Sequence, residues 1–242
     1  MKALVKDIAH FFGIEITHYR PASSDAQMVQ TLLSNEMIDL VFDVGANVGQ
    51  YANALRQDGY GGKIVSFEPL AHAYDQLKTK STGDADWVIA PRSAIGNQNG
   101  QIEINISENS VSSSILHMQD RHVEAAPGSA YVGAETVAIK RLDSIAKEYF
   151  NAGNSIYLKV DTQGYEESVL DGATDLLQVI KAVQLEVSLV PLYEGQLLFV
   201  EMVTKMDGLG FDLFSILPGF KDPATGQLLQ TDCIFLKKEL MN

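Results

Sequence analysis

The sequence predicts an α/β fold with a mostly parallel, doubly wound sheet, and three observations carry that prediction. From residue 40 onward, short apolar runs alternate with stretches of helical periodicity. The first run, at 40–43, passes through a glycine-bearing turn into a helix. The second, at 63–67, is followed by Glu68, 25 residues after the Asp43 that ends the first. Strands separated by helices pair in parallel, with right-handed crossovers.

Ahead of that pattern, Leu4, Val5, Ile8, Phe11 and Phe12 fall at helical spacing and predict an amphipathic helix over 2–12. Residues 13–24 read as irregular. A second helix is expected from about Ser24, where Ser24 and Gln27 fit a capping box and Met28, Val29, Leu32 and Leu33 form an apolar stripe. Residues 1–38 are thus expected as a helical extension to a core at 39–237. With no internal repeat or low-complexity linker, one domain over 1–242 is the economical expectation.

Within the core, strand 40–43 leads to a helix near 48–57, and a Gly-Tyr-Gly-Gly turn at 59–62 leads to strand 63–67. A helix through Tyr74 and Leu77 follows, then a strand at 87–90. The middle departs from alternation. Ile102, Ile104 and Ile106 alternate strictly, which predicts a half-buried antiparallel strand, and Val137 and Ile139 mark its partner. Between them lies a polar loop, 107–133, of a length usually kept for function or mobility. Alternation resumes with strand 156–160 ending at Asp161, a helix through Val169 to Leu177, strand 182–187, a helix at 197–206, and strands 211–216 and 233–236. Met202 and Met206, at helical spacing, read as core.

Composition bounds the function. The 242 residues are 46% hydrophobic and 20% charged, which suits a packed globular chain. The net charge of −13, without a Lys/Arg stripe, argues against nucleic acid and against an anionic membrane surface. No apolar stretch reaches membrane-spanning length, and the N-terminus lacks the apolar core and cleavage site of a signal peptide. The one cysteine, Cys233, lies in a strand-like TDCIFL run and reads as a buried structural thiol. A cytoplasmic setting is expected. A homo-oligomer is left open.

The run VFDVGANVGQY, at 41–51, places backbone N–H groups and a helix N-terminus at one point, where a nucleotide-like cofactor can lie. Gly45 and Gly49 are expected to let the backbone turn sharply and approach that ligand. Glu68 is placed to accept both hydroxyls of a ribose. A dinucleotide fingerprint needs G-x-G-x-x-G, and this turn lacks one glycine. Asp43 would repel a pyrophosphate but suits the cationic amino group of S-adenosylmethionine. Register of strand, Asp43, Gly45, Gly49, helix and Glu68 favours the cofactor reading over ordinary turn residues.

These residues resemble the FkbM family of methyltransferases over roughly 38–237. The likeness rests on VFDVGANVGQY, on VSFEP at 65–69, SAIGN at 93–97, NSVSSSIL at 109–116 and VAIKRLDSI at 137–145. It continues through YLKVDTQGYEESVLDGA at 157–173, LEVS at 185–188 and TGQLLQTDCIF at 225–235. The resemblance implies a Rossmann-like seven-stranded sheet whose last strand is antiparallel, with the hairpin and loop inserted. It implies O-methylation of a hydroxyl on a sugar, glycan or natural product, with S-adenosylhomocysteine as product. Carried over by residue, Asp43, Gly45 and Gly49 match the first cofactor motif, with Ala46, Asn47, Gln50 and Tyr51 lining the methionine end. Glu68 matches the ribose acid, Pro69 would pack by the adenine, and Ser93 and Ala94 would meet the adenine edge. Ser110 to Ser114 are drawn slightly towards cofactor contacts. Asp161 would stand between cofactor and substrate. The family often has an acidic residue at the position of Gln163, so a carboxylate pair at 161 and 163 is in doubt.

Asp161 leads as general base because it ends a strand at the carboxyl edge of the sheet. Glu186 and Lys159 are secondary. Lys159 reads more readily as a structural partner of Asp161, and Glu186 needs a partner whether its role is structural or substrate-binding. His117 and His122 read as solvated loop residues, and no cluster has a metal-ligand spacing, so no metal is expected. Two readings compete with a methyltransferase: an NAD-dependent oxidoreductase, against which the missing glycine speaks, and a non-catalytic cofactor-binding module, against which the Asp43, Glu68 and Asp161 set speaks.

Overall fold

A computed structural model describes residues 11–13 and 25–241. The expected helix over 2–12 falls, but for its last two residues, outside the described residues. The second helix is α1, Asp25–Asn35, with Val29, Leu32 and Leu33 buried as its stripe requires.

Seven strands form one sheet. Strands β1 (Leu40–Val44), β2 (Lys63–Phe67) and β3 (Trp87–Ile89) lie to one side; β7 (Ile156–Val160), β8 (Ile180–Ser188), β9 (Phe211–Pro218) and β10 (Gln230–Lys237) lie to the other. The order is β3-β2-β1-β7-β8-β10-β9, with β10 antiparallel to both neighbours and the other pairings parallel. This is the seven-stranded sheet with an antiparallel last strand that the family resemblance implies. All five residues of β1 and of β7 are buried, as expected of strands covered on both faces. One face packs Phe42, Phe67, Leu158, Val169, Met202 and Met206. The other packs α1 with Val41, Leu55, Ile64, Leu77 and Tyr157. Chain order reverses between β1 and β7, and in open α/β sheets ligands bind beyond the carboxyl ends of the strands at such a point.

Helices α2 (Gln50–Gln57) and α3 (Ala71–Lys80) make the first crossovers. The inserted hairpin is β5 (Gly100–Ser107) against β6 (Tyr131–Lys140), antiparallel as the isoleucine alternation predicts. A two-residue strand, β4 (Ala94–Ile95), too short for any periodicity to announce, pairs with β6 and makes a second sheet of three. The polar loop carries a short α-helix, α4 (Asp120–Ala125), and a 3₁₀ turn at Pro127–Ser129. It is fastened to the segment after β8, where Gln119 N donates to Leu192 O at 2.8 Å. Loop residue His122 is buried rather than solvated. It lies edge-on to Tyr193, 5.2 Å between ring centroids, and against Phe220, and burial lowers its pKa to about 4.

A four-residue helix, α5 (Leu142–Ile145), follows β6, and α6 (Glu166–Asp171) follows β7. The latter stops short of the expected Leu177. Gly172 follows its last turn, and the Gly96 carbonyl passing 1.9 Å from where a Cβ would stand leaves room only for glycine there. The last helix is α7, Phe199–Gly208, with Met202 and Met206 in the core. Cys233 is buried in β10. Among the described residues no helix is long and apolar enough to cross a membrane.

Candidate active site

The turn after β1 sets the site. Gly45 and Ala46 both donate backbone N–H bonds to Phe67 O at 3.1 Å, tying the turn to the end of β2. Gly45 has φ +79°, and a Cβ there would fall 1.8 Å from the Asp161 carbonyl oxygen. Gly49 has φ +82°, and its Cβ would meet the Trp87 ring at 2.8 Å. Both positions demand glycine, for their left-handed turn and because protein atoms fill the space a Cβ would take. Gly45 lines the cleft, whereas Gly49 does not border it.

The cleft has a volume of about 430 Å³, within the range of small-molecule sites. Ala46, Asn47, Gln50, Tyr51, Glu68, Pro69, Ser93 and Ala94, all singled out by sequence, line it together with Lys159 and Asp161. So do Ser110, Ser113 and Ser114 from the insertion. Glu68 Oε2 accepts Asn47 N and Oε1 accepts Leu70 N, both at 2.8 Å. Each oxygen keeps acceptor capacity towards the cleft. Burial raises Glu68 to about 7, against the pull of those two N–H groups. Asn47 itself sits at φ +47° and its side chain donates to Ser110 Oγ at 3.4 Å.

Asp43 does not border the cleft. One row of the sheet sets Ser66, Asp43, Lys159 and Gln184 side by side. Asp43 is fully buried; it accepts the Ser66 hydroxyl at 3.1 Å and faces Lys159 Nζ at 3.3 Å. Burial raises its pKa, with Lys159 and Ser66 opposing. Its charge is thus answered by Lys159 and Ser66, and the expected contact with a ligand's amino group would have to reach it from beyond the cleft lining. Lys159 Nζ also lies 3.5 Å from Asp161 Oδ2. Burial favours its neutral form, but Asp161 and Asp43 outweigh that and hold it above the ordinary ammonium range. An ammonium so held has no lone pair to take a proton, and its geometry is that of an ion-pair partner to both Asp43 and Asp161.

The Asp161 side chain is 34% exposed at the end of β7. Its Oδ1 accepts Gln163 Nε2 at 2.9 Å, and the same nitrogen donates to Glu186 Oε2. Glu186 lies behind Gln163, away from the cleft, and also accepts Gln230 Nε2 at 2.8 Å. Burial raises its pKa well above the ordinary carboxylate range, and Asp161 adds to the rise. Glu166 caps the loop at 162–164: its Oε1 accepts Thr162 N at 2.8 Å and Gly164 N at 3.2 Å. Sequence reading missed Glu166, Tyr193, Gln184, Gln230 and Asp232. Gln184 Oε1 accepts the Tyr51 and Tyr157 hydroxyls at 2.8 and 2.9 Å, and its nitrogen donates to Asp232 Oδ1 at 3.0 Å. The one available signal was the two-residue spacing of Gln184 and Glu186, which puts two polar side chains on one face of β8.

The donor set fits S-adenosylmethionine. A buried carboxylate with free acceptor capacity suits a ribose, and Pro69, Leu70, Ala94 and Ile95 suit a flat base. Lys159, Asp161 and the Tyr51 ring make the opposite end polar.

The Methyltransferase FkbM domain family matches residues 43–213. The Hexuronic acid methyltransferase AglP of Haloferax volcanii is 26% identical over 178 residues, 72% of this chain; the match spans 66% of that relative's length. A solved structure of an inferred O-methyltransferase from Klebsiella pneumoniae covers 97% of this chain and 89% of its own, with a TM-score of 0.50 and 9% identity, a likeness of fold.

Proposed function

We propose, from the premise that this chain belongs to the FkbM family of methyltransferases, that it methylates a hydroxyl of a sugar, glycan or natural-product small molecule. S-adenosylmethionine is the methyl donor of the family. When bound, it supplies a methyl group already made electrophilic by the sulfonium. In this reading the residues have two tasks. Glu68, with Asn47, Ala46, Pro69, Ser93 and Ala94 around it, holds the nucleoside, while Gln50 and Tyr51 border the other end. Asp161 accepts the proton of the substrate hydroxyl, with Lys159 and Gln163 fixing its carboxylate. Positioning of this kind can contribute ~7–11 kcal/mol, and a placed base ~10²–10⁴-fold in rate.

The observation that carries the reading is Asp161 itself: a partly exposed carboxylate at the switch point, held on one oxygen by an amide and on the other by an ammonium. The Haloferax relative acts, by its name, on a sugar acid, which supports a sugar acceptor. The test is transfer of labelled methyl from S-adenosylmethionine into a panel of sugars, glycans and a metabolite extract. Label in an alkali-stable ether is the expected outcome. Label confined to nitrogen, sulfur or carbon products would overturn the assignment.

A further inference from the structure

Gln163 stands at the centre of the substrate side, and its geometry exceeds what a connecting loop requires. Its backbone is left-handed, φ +55°, although it carries a full side chain. A non-glycine residue keeps that conformation where its surroundings over-determine it. Here the surroundings are four hydrogen bonds. The amide nitrogen donates one hydrogen to Asp161 Oδ1 and the other to Glu186 Oε2. The amide oxygen accepts the Tyr193 hydroxyl at 2.6 Å, and the backbone oxygen accepts Ser114 Oγ at 2.7 Å. A flipped amide would turn its oxygen onto two carboxylates, which accept but cannot donate when ionised.

We propose that Gln163 is the positioning residue of this site: its amide fixes Asp161 against Glu186, and its two oxygens fasten both to the inserted loop and to Tyr193. The inference rests on Asp161 as the base. Two carboxylates that meet on one side chain, Asp161 from the cleft and Glu186 from behind it, repel one another. A neutral group that offers one hydrogen to each removes that repulsion without adding charge. Glutamate has the same shape, offers neither hydrogen when ionised, and adds a charge. The groups it would face are Asp161 from its own loop, Glu166 from α6, Glu186 from β8 and Asp232 from β10, with Lys159 of β7 as the cation. From the other side it would face Tyr193, with His122 of α4 edge-on behind it.

The experiment compares melting temperatures of the parent, Gln163→Glu, Gln163→Met and the double variant Gln163→Glu/Glu186→Gln at pH 8 and pH 5. Gln163→Glu is expected to lose at least about 6 °C at pH 8, for two lost bonds to charged groups in a chain of this size. The loss should shrink to less than half at pH 5, where protonated carboxyls donate in the amide's place. Gln163→Met should lose stability at both values, but less at pH 5, where protonation relieves the facing carboxylates. It adds no charge, so its loss at pH 8 should be smaller than that of Gln163→Glu. The double variant, again one amide with two carboxylates, should regain about half of the loss at pH 8. A Gln163→Glu protein as stable as the parent at pH 8, or one whose loss is equal at both values, overturns the proposal. If that variant does not fold at either pH, an equally unfolded double variant overturns it too. Full methyl transfer by Asp161→Asn would remove the base while leaving these shifts in place, so the two readings fail separately.

Discussion

On the cofactor side, Glu68 meets Asn47 and Leu70 through backbone N–H groups, across 21 and 2 residues of sequence. On the substrate side, Gln163 meets Glu186, Tyr193 and Ser114 across 23, 30 and 49, and every one of those links uses a side chain. The first half is chiefly made by how the chain turns, so many side chains could surround it without disturbing it. The second is made by what the side chains are, so it changes as soon as one of them does. A backbone-built half suits the part of a reaction that stays constant, the methyl donor. A side-chain-built half suits the part that varies, the acceptor.

That contrast predicts which half controls binding and which controls turnover. The largest effect belongs to Asp161→Asn, expected to lower kcat about 10²–10⁴-fold while leaving S-adenosylhomocysteine affinity, measured by calorimetry, close to the parent's. Affinity falling together with kcat would erase the division between the halves. Glu68→Ala should do the reverse, weakening S-adenosylhomocysteine at least about 10²-fold through lost bonds to a charged group; undiminished binding would remove Glu68 as the ribose residue. A smaller effect sharpens the comparison. Glu68 holds its proton up to about pH 7, and its neutral form accepts fewer bonds. S-adenosylhomocysteine affinity should therefore rise up to about tenfold between pH 6 and 8, and the rise should vanish in Glu68→Gln. In the ligand-free protein the sign is opposite. The folded state keeps a proton that the unfolded chain releases, so Glu68 costs stability as pH climbs from 4.5 towards about 7.

The same contrast explains what sequence could tell. Gly45, Glu68 and the ends of β1 and β2 sit within a short stretch, and hydrophobic runs with turn glycines announce such local geometry. Asp161 was legible because it ends a run of five apolar or strand-forming residues. Gln163 registered as a departure from a family pattern, since nothing local says that its amide lies between two carboxylates. Tyr193 and Gln230 lie 30 and 67 residues further on, and only the sheet order brings them back. Asp43 was legible as the end of a strand but its pairing with Lys159 was not: that adjacency is a matter of strand register, and β1 and β7 are separated by the whole insertion. His122 was misplaced because a polar loop conceals a buried cluster with Tyr193 and Phe220.

The missing Cβ of Gly45 has one more consequence. The Asp161 carbonyl occupies its place, and Asp161 N donates back to Val44 O at 3.0 Å. The two halves are welded along that seam, so neither can be moved outward to enlarge the cleft. A lineage that came to accept a bulkier substrate would have to do so on the opposite wall, by lengthening, trimming or recolouring the segment from Ser110 to Ile115. The fold thereby leaves its room for innovation on that wall, where any exchange must still respect the Asn47 bond to Ser110 and the Ser114 bond to Gln163.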